Sequence, residues 1–241
     1  MNHHVVIGAG PVGSGIATLL AARGEAVTVI TRSGSGPTHA LISKVRADAA
    51  DTEALVHAAT GAATIFNCAN PPYHQWATAW PPVHQALMAA AERTGAVLVM
   101  MDNLYAFGPG TSMPMREHDA MNATGEKGSV RARMAHDLMA AHASGRLRAT
   151  LARASDFYGP HVIGAALGER VLPNVLAGKK VSLLARSTSR TRSASCPMSS
   201  RRWSRSPATS AHGASRGTCR THPPSASARR SRHSPLRPEQ R

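Results

Sequence analysis

Gly8-Ala9-Gly10-Pro11-Val12-Gly13 joins the apolar run His4 to Ile7 to a helical pattern that begins at Val12. The three glycines have separate tasks in such a turn. The first lets the chain reverse tightly, the second lets the backbone approach a pyrophosphate, and the third lets the helix pack on the strand. The N–H groups that open the helix attract the anion. A second strand-like run, Ala26 to Thr31, follows and completes a strand–helix–strand unit, the context in which this spacing carries weight. The stretch therefore predicts a dinucleotide site, with Gly8, Gly10, Pro11, Val12 and Gly13 against the phosphates. The competing reading is a glycine-rich turn that holds no ligand.

Working outward, Val12, Ile16, Leu19 and Leu20 recur at helical spacing and Gly24 stops the helix. At the end of the second strand stand Thr31, Arg32 and Ser33. An acidic residue there would accept hydrogen bonds from the ribose 2′-hydroxyl, whereas Arg32 between small hydroxyl residues suits a 2′-phosphate, so NADP is favoured over NAD. Leu41 to Ala47 reads as a third strand ending at Asp48, and Asp51 caps a helix that runs to about Ala59. Ala63 to Asn67 is a short apolar fourth strand, followed by the loop Cys68-Ala69-Asn70-Pro71-Pro72. Tyr73, Trp76 and Trp80 share one helical face and read first as packing, second as a substrate wall. Pro81-Pro82 predicts an interruption, with a separate helix from Val83 to Arg93. Ala96 to Met101 is a fifth strand, and the long loop to Glu126 is the kind that serves function. A helix over Lys127 to Ala143, a sixth strand over Leu147 to Ala152, a weaker helical pattern from Val162 to Leu176 and a strand beginning at Lys180 complete the series. Alternating strands and helices predict an α/β fold, a Rossmann-type doubly wound parallel sheet.

The 241 residues suffice for one substantial core, and with only 4% aromatics it must be filled by aliphatic side chains and alanine. No run of apolar residues is long enough to span a bilayer, and Met1-Asn2-His3-His4 leads directly into a strand, so a cytoplasmic protein with no membrane partner is expected. Cys68, Cys196 and Cys219 lack ligand spacing and the body histidines are scattered, so no metal site is expected. Residues 1–185 carry 15 Lys and Arg against 12 Asp and Glu, a net of +3, whereas residues 186–241 carry 13 Arg and one Glu, a net of +12. Nearly all of the formal +15 is therefore in the tail, and the body is an ordinary domain.

The chain divides accordingly into a dinucleotide-binding domain over residues 1–184 and an Arg/Ser/Pro-rich segment over 185–241. Residues 187–241 hold no Val or Ile and one Leu, a composition that predicts disorder. With the codons shifted back by one base, Arg190 to Ser200 reads as an apolar His-Thr-Phe-Ser-Phe-Val-Pro-Asp-Val-Val segment, and Met198 and Trp203 each force a valine. The segment is thus expected to be an out-of-frame translation that replaces a C-terminal substrate lobe. Sequencing the coding DNA for a single-base indel near codon 185 tests this.

Several stretches together resemble the extended short-chain dehydrogenase/reductase superfamily, specifically the NAD-dependent epimerase/dehydratase proteins. They are Gly8 to Gly13, Asp48 after the third strand, Asn67 to Asn70 after the fourth, Asn103 to Pro109 after the fifth, and Arg153 to Pro160 after the sixth. The resemblance implies that Asp48, Cys68, Ala69 and Asn70 join the glycine turn in holding the cofactor. It also implies catalysis by a Ser or Thr and a Tyr-x-x-x-Lys set. Here Asn103 occupies the Ser/Thr place, and Lys127 and Arg131 stand where Tyr and Lys are expected, while Tyr105 is the nearest phenol to replace the missing one. Asn103 could polarise a carbonyl. Lys127 and Arg131 read slightly better as a solvated or phosphate-facing pair than as catalysts.

These residues lead to an oxidoreductase that transfers hydride to or from a sugar-nucleotide or small carbonyl or alcohol, impaired by its substitutions. The first alternative is a non-catalytic NADPH-binding sensor, and the second is nucleic-acid binding through the basic tail. The substrate and the oligomeric state are not legible.

Overall fold

The computed structural model describes residues 2–159, 161–162, 171–180, 193–195 and 217–218. Strand β1 (His3–Ile7) lies at the centre of the sheet, and β4 (Thr64–Asn67) pairs with it on one side. All four residues of β4 are buried, as a central parallel strand covered on both faces requires. On the other side of β1 come β2 (Ala26–Thr31) and then β3 (Ile42–Arg46). Beyond β4 come β5 (Val97–Asp102), β6 (Ala149–Arg153) and the two-residue β9 (Gly217–Thr218), giving the order β3-β2-β1-β4-β5-β6-β9 with every pairing parallel. The winding direction reverses between β1 and β4. In an open sheet of this kind the crevice at the carboxyl ends of the strands is deepest there.

Alternate residues of the strands serve two separate cores. Val6, Val27, Val29, Phe66 and Val99 pack with Ile16 and Leu20 of helix α1 (Pro11–Ala21). Val5, Ile7, Ile65, Leu98 and Met100 face the opposite way, against α2 (Thr52–Ala59), α3 (Trp76–Thr94) and α4 (Glu126–Ala143). The expected cap on α2 is present, with the Asp51 carboxylate accepting from Ala54 N at 3.0 Å. A short turn of 3₁₀-helix, Tyr73–Gln75, leads into α3, and Gly95 ends α3 in the left-handed region.

One expectation is corrected here. The helix does not stop at Pro81-Pro82 but runs through both prolines. Each proline removes one backbone bond, yet both prolines, and Ala77 and Thr78 whose carbonyls lose those donors, are exposed residues. The buried side chains Trp76, Trp80, Val83 and Leu87 hold the two halves on one continuous apolar stripe.

Toward the C-terminus, β7 (Asp156–Tyr158) pairs in parallel with β8 (Ser193–Ser195), and α5 (Leu172–Leu176) is a short helix. Of the weak helical pattern, residues 163–170 lie outside the described residues, as do residues 181–184 of the strand expected from Lys180. Of the Arg/Ser-rich segment expected to be disordered, only β8 and β9 are described, as short strands; its other residues and the altered reading frame lie outside the description. Among the described residues no helix is long and apolar enough to cross a membrane.

Candidate active site

The carboxyl ends of β1 to β5 border one groove of about 1170 Å³. That is ample for a dinucleotide, since pockets for smaller organic ligands enclose roughly 300–1,000 Å³. Gly8, Gly10, Pro11 and Val12 form part of its wall, facing Thr31, Arg32 and Ser33 from the end of β2 and Asp48 from the end of β3. Cys68, Ala69 and Asn70 enter from the end of β4. The residues expected to hold a cofactor thus converge, apart from Gly13, which lies beneath the turn.

The three glycines are needed for different physical reasons. Gly8 has φ +93°, and a Cβ there would sit 2.7 Å from Ala69 N, so the β1 and β4 turns touch backbone to backbone. At Gly13 a Cβ would lie 1.9 Å from Gly8 O, which makes this glycine the contact between α1 and the strand. Gly10 is unlike either: its φ of −67° suits any residue, and its Cβ would meet nothing within 4 Å. No packing against the described residues requires glycine at position 10, although glycine is among the residues favoured at a helix N-cap.

Gly10 is also the N-cap of α1, with Pro11 at the first helical position, no side-chain cap and no acidic residue in the first turn. The positive end of the helix dipole therefore meets the groove with no carboxylate of its own. At the mouth between β2 and β3, Thr31 Oγ1 donates to Ser35 O at 2.9 Å, and the hydroxyls of Ser33 and Ser35 lie 2.7 Å apart. Asp48 Oδ1 accepts from Ala50 N at 2.9 Å and shapes its own turn.

At the other end of the groove the expected catalytic residues separate. Asn103 and Arg131 line the groove; Lys127 and Tyr105 do not. Asn103 Oδ1 accepts from Tyr105 N at 3.0 Å, which fixes the turn after β5. Lys127 lies with its Nζ 4.4 Å from the centre of the Tyr73 ring. Tyr105 packs edge-on to Tyr73, and its phenol is pushed up to about 12 by burial, by a hydrogen bond with Tyr73 and by the negative charge of Asp156. A phenol in this setting is a hydrogen-bond donor rather than a base.

Arg131 requires a second correction, because it is neither solvated nor paired with Lys127. Its side chain is 3% exposed and donates from Nε and Nη2 to Asp102 Oδ1 at 3.0 and 2.5 Å, and from Nη2 to Met101 O at 3.1 Å. The guanidinium lies 4.5 Å from the Trp80 ring centre. Asp102 Oδ2 accepts in turn from Arg153 Nε at 2.9 Å. Two guanidiniums thus share one buried carboxylate beside the groove. Asp102 and Arg153 were not singled out as site residues, although they are ladder partners at the ends of β5 and β6. Two opposite charges closing adjacent apolar strands were the available signal. Among the described residues no group of three His, Cys, Asp or Glu could hold a metal ion.

Residues 4–191 match the model of the NAD dependent epimerase/dehydratase family. The chain belongs to that family. Solved structures agree with the fold of an epimerase/dehydratase. UDP-glucose 4-epimerase from Brucella ovis, solved with NAD, superimposes with a TM-score of 0.59 at 23% identity over 66% of this chain and 53% of its own. WbmH from Bordetella bronchiseptica, solved with NAD+, gives 0.72 at 19% identity over 90% and 75%. UDP-glucose 4-epimerase from Thermotoga maritima, solved with UDP-glucose, gives 0.70 at 17% over 83% and 71%. This epimerase/dehydratase chain therefore spans about half the length of the Brucella enzyme. No curated protein matches it in sequence.

Proposed function

We propose that the groove binds a nicotinamide dinucleotide and that the protein is an oxidoreductase acting on a sugar-nucleotide or a small carbonyl or alcohol. The observation that carries this reading is Gly10, unstrained and with open space where a side chain would be, at the start of α1. The NAD and the UDP-glucose held by the solved neighbours support the choice of cofactor and of substrate class. Gly8 to Val12 and Asn70 would hold the pyrophosphate region, and Thr31, Arg32, Ser33 and Asp48 the adenosine end. Arg32 at the end of β2, where no acidic residue stands, favours NADP over NAD.

Bound there, the dinucleotide supplies a hydride donor or acceptor. The chain's own residues orient and polarise. The Asn103 side-chain NH2 is the group suited to donate a hydrogen bond to a substrate oxygen, since its Oδ1 is engaged by Tyr105 N. Arg131 is a fixed cation held by Asp102. Lys127 and Tyr105 stand outside the groove wall, where they would serve a substrate rather than the cofactor.

A second reading is favoured by one observation: the position of the expected proton-relay lysine is taken by Arg131, locked in an ion pair. On that reading the protein binds NADPH without turnover. Titration of the full chain with NADPH and NADH, followed by assay against UDP-glucose and a panel of small carbonyls between about pH 6 and 9, separates the two. Binding with turnover supports the oxidoreductase, and binding without turnover supports the second reading. If neither nucleotide binds, both fail. With its phenol held at about 12, Tyr105 contributes no inflection below pH 9, and a Tyr105-dependent inflection there would overturn its assignment as a neutral donor.

A further inference from the structure

Where β5 meets the groove, hydrogen-bond donors outnumber acceptors. Trp80, Asp102, Asn103 and Arg131 border the groove there. Both oxygens of the Asp102 carboxylate are engaged, Oδ1 by Arg131 and Oδ2 by Arg153. Asn103 Oδ1 accepts from Tyr105 N at 3.0 Å, and Met101 O accepts from Arg131 Nη2 at 3.1 Å. The donors are less well served. Trp80 is 1% exposed, yet its Nε1–H has no hydrogen-bond partner among the described residues. Arg131 Nη1 meets the sulfur of Met134 at 4.0 Å, a weak acceptor at long range. Asn103 keeps its NH2 as a donor once Oδ1 is engaged. The Arg131 guanidinium lies over the Trp80 ring, and Asn103 directly follows the carboxylate that holds Arg131, so these donors form one corner. Charge is unbalanced in the same sense. Two guanidiniums share one carboxylate, which leaves one net positive charge on side chains that are 1–3% exposed, and Arg153 Nη1 is buried without a partner among the described residues.

A buried charge with no counter-ion is costly, and an anion seated in the groove beside Arg131 offsets that cost. A carboxylate fits the corner on both counts. It accepts hydrogen bonds and donates none, and its two oxygens take up indole, amide and guanidinium donors at once. A hydroxymethyl group brings a proton of its own and gains little from the net charge. We infer that the corner of Trp80, Asn103 and Arg131 receives a carboxylate of the substrate, so that the protein acts on an acidic substrate, a uronic-acid nucleotide or a small keto acid, in preference to its neutral counterpart. The inference rests on the oxidoreductase reading and deepens it by fixing the charge of the substrate. It also gives Trp80 and Arg131 a task in specificity, from α3 and α4, that is separate from binding the dinucleotide.

The test uses the full chain saturated with NADPH or NADH and compares ligands that differ at one carboxylate: UDP-glucuronate against UDP-glucose, and pyruvate against acetone, by calorimetry at fixed ionic strength. The corner predicts that the acid of a pair binds at least about tenfold tighter than its neutral counterpart. Asn103→Asp keeps the Oδ1 that accepts from Tyr105 N and adds a negative charge to the corner, so it should abolish or reverse that preference. Trp80→Phe keeps a ring and removes the Nε1 donor; it should lower the affinity for the acid about three- to tenfold and change that for the neutral ligand by less than about twofold. Circular dichroism and nucleotide affinity verify the fold of each variant. Equal affinity for acid and neutral ligand in both pairs, or a preference unaltered in Asn103→Asp, would overturn the inference and leave the oxidoreductase reading standing. A preference seen only without the nucleotide would assign the corner to the phosphates of the cofactor and overturn it too. If no ligand of either pair binds, the inference and the substrate reading fail together.

Discussion

Asp102 carries more of the stability of this fold than any surface charge, and Asp102→Asn measures it. The substitution keeps the shape of the side chain and removes its charge. Three hydrogen bonds from two guanidiniums converge on the carboxylate, and all three side chains are 1–3% exposed. Removing one member of a buried ion pair costs about 3–5 kcal/mol because the partner is left uncompensated. Here two cations are left facing one another, which places the loss at about 5 kcal/mol, the upper end of that range. Against a typical total of about 5–15 kcal/mol this is a third or more of the stability. At roughly 2–4 °C per kcal/mol for a domain of this size, the melting temperature should fall by about 10–20 °C. Urea and thermal unfolding by circular dichroism give the number, and the double variant Asp102→Asn with Arg131→Met gives the coupling. Because Arg131→Met removes one of the stranded charges, the double variant should be at least about 1–2 kcal/mol more stable than the sum of the singles. A loss below about 1 kcal/mol in Asp102→Asn, or strict additivity, would refute the shared-carboxylate account.

Two further outcomes follow from the same geometry. Gly13→Ala drives a Cβ to 1.9 Å from Gly8 O and must part α1 from β1, so a loss of about 1–3 kcal/mol is expected; unchanged unfolding would contradict the close approach. His84 is 5% exposed with neither ring nitrogen hydrogen-bonded, and burial holds its pKa below the ordinary histidine value, with Asp137 opposing the shift and Arg131 assisting it. Its pKa is thus lower in the folded state than in the unfolded chain. Stability is then at its full value above about pH 6.5 and falls as the unfolded chain takes up its proton below that point. Melting temperatures at pH 7.5 and 5.5 should converge in His84→Leu relative to wild type, although buried His4, shifted in the same direction, leaves part of the acid sensitivity in place. An acid sensitivity unaltered in His84→Leu would remove the assignment.

The sheet and the groove along its carboxyl edge were legible because each rests on local chemistry. The apolar run at β4 and the glycine spacing at 8, 10 and 13 are statements about neighbouring residues, and the groove collects what they predicted. The failures lie where distant residues decide. Pro81 and Pro82 read as a break because proline removes backbone donors, but the stripe from Trp76 to Leu87 and the solvent around the prolines outweighed that. Arg131 falls at helical spacing with Ala135 and Leu138 on the buried face of α4, a position at which a charge is tolerated only with a partner. That partner, Asp102, lies 29 residues away and is shared with Arg153 through the β5–β6 register. One sequence does not display such a register.

The most direct test of the dinucleotide site is Gly10→Asp, measured for both stability and NADPH or NADH affinity. The new side chain enters open space at the N-cap of α1, where a carboxylate satisfies helix N–H groups and adds roughly 0.3 kcal/mol of stability over glycine. The same carboxylate occupies the place of the ligand phosphate and repels it. The predicted result is a melting temperature equal to or above that of wild type together with a loss of nucleotide affinity of about a hundredfold or more. Nucleotide binding that survives Gly10→Asp unchanged would contradict the claim that this turn holds the cofactor.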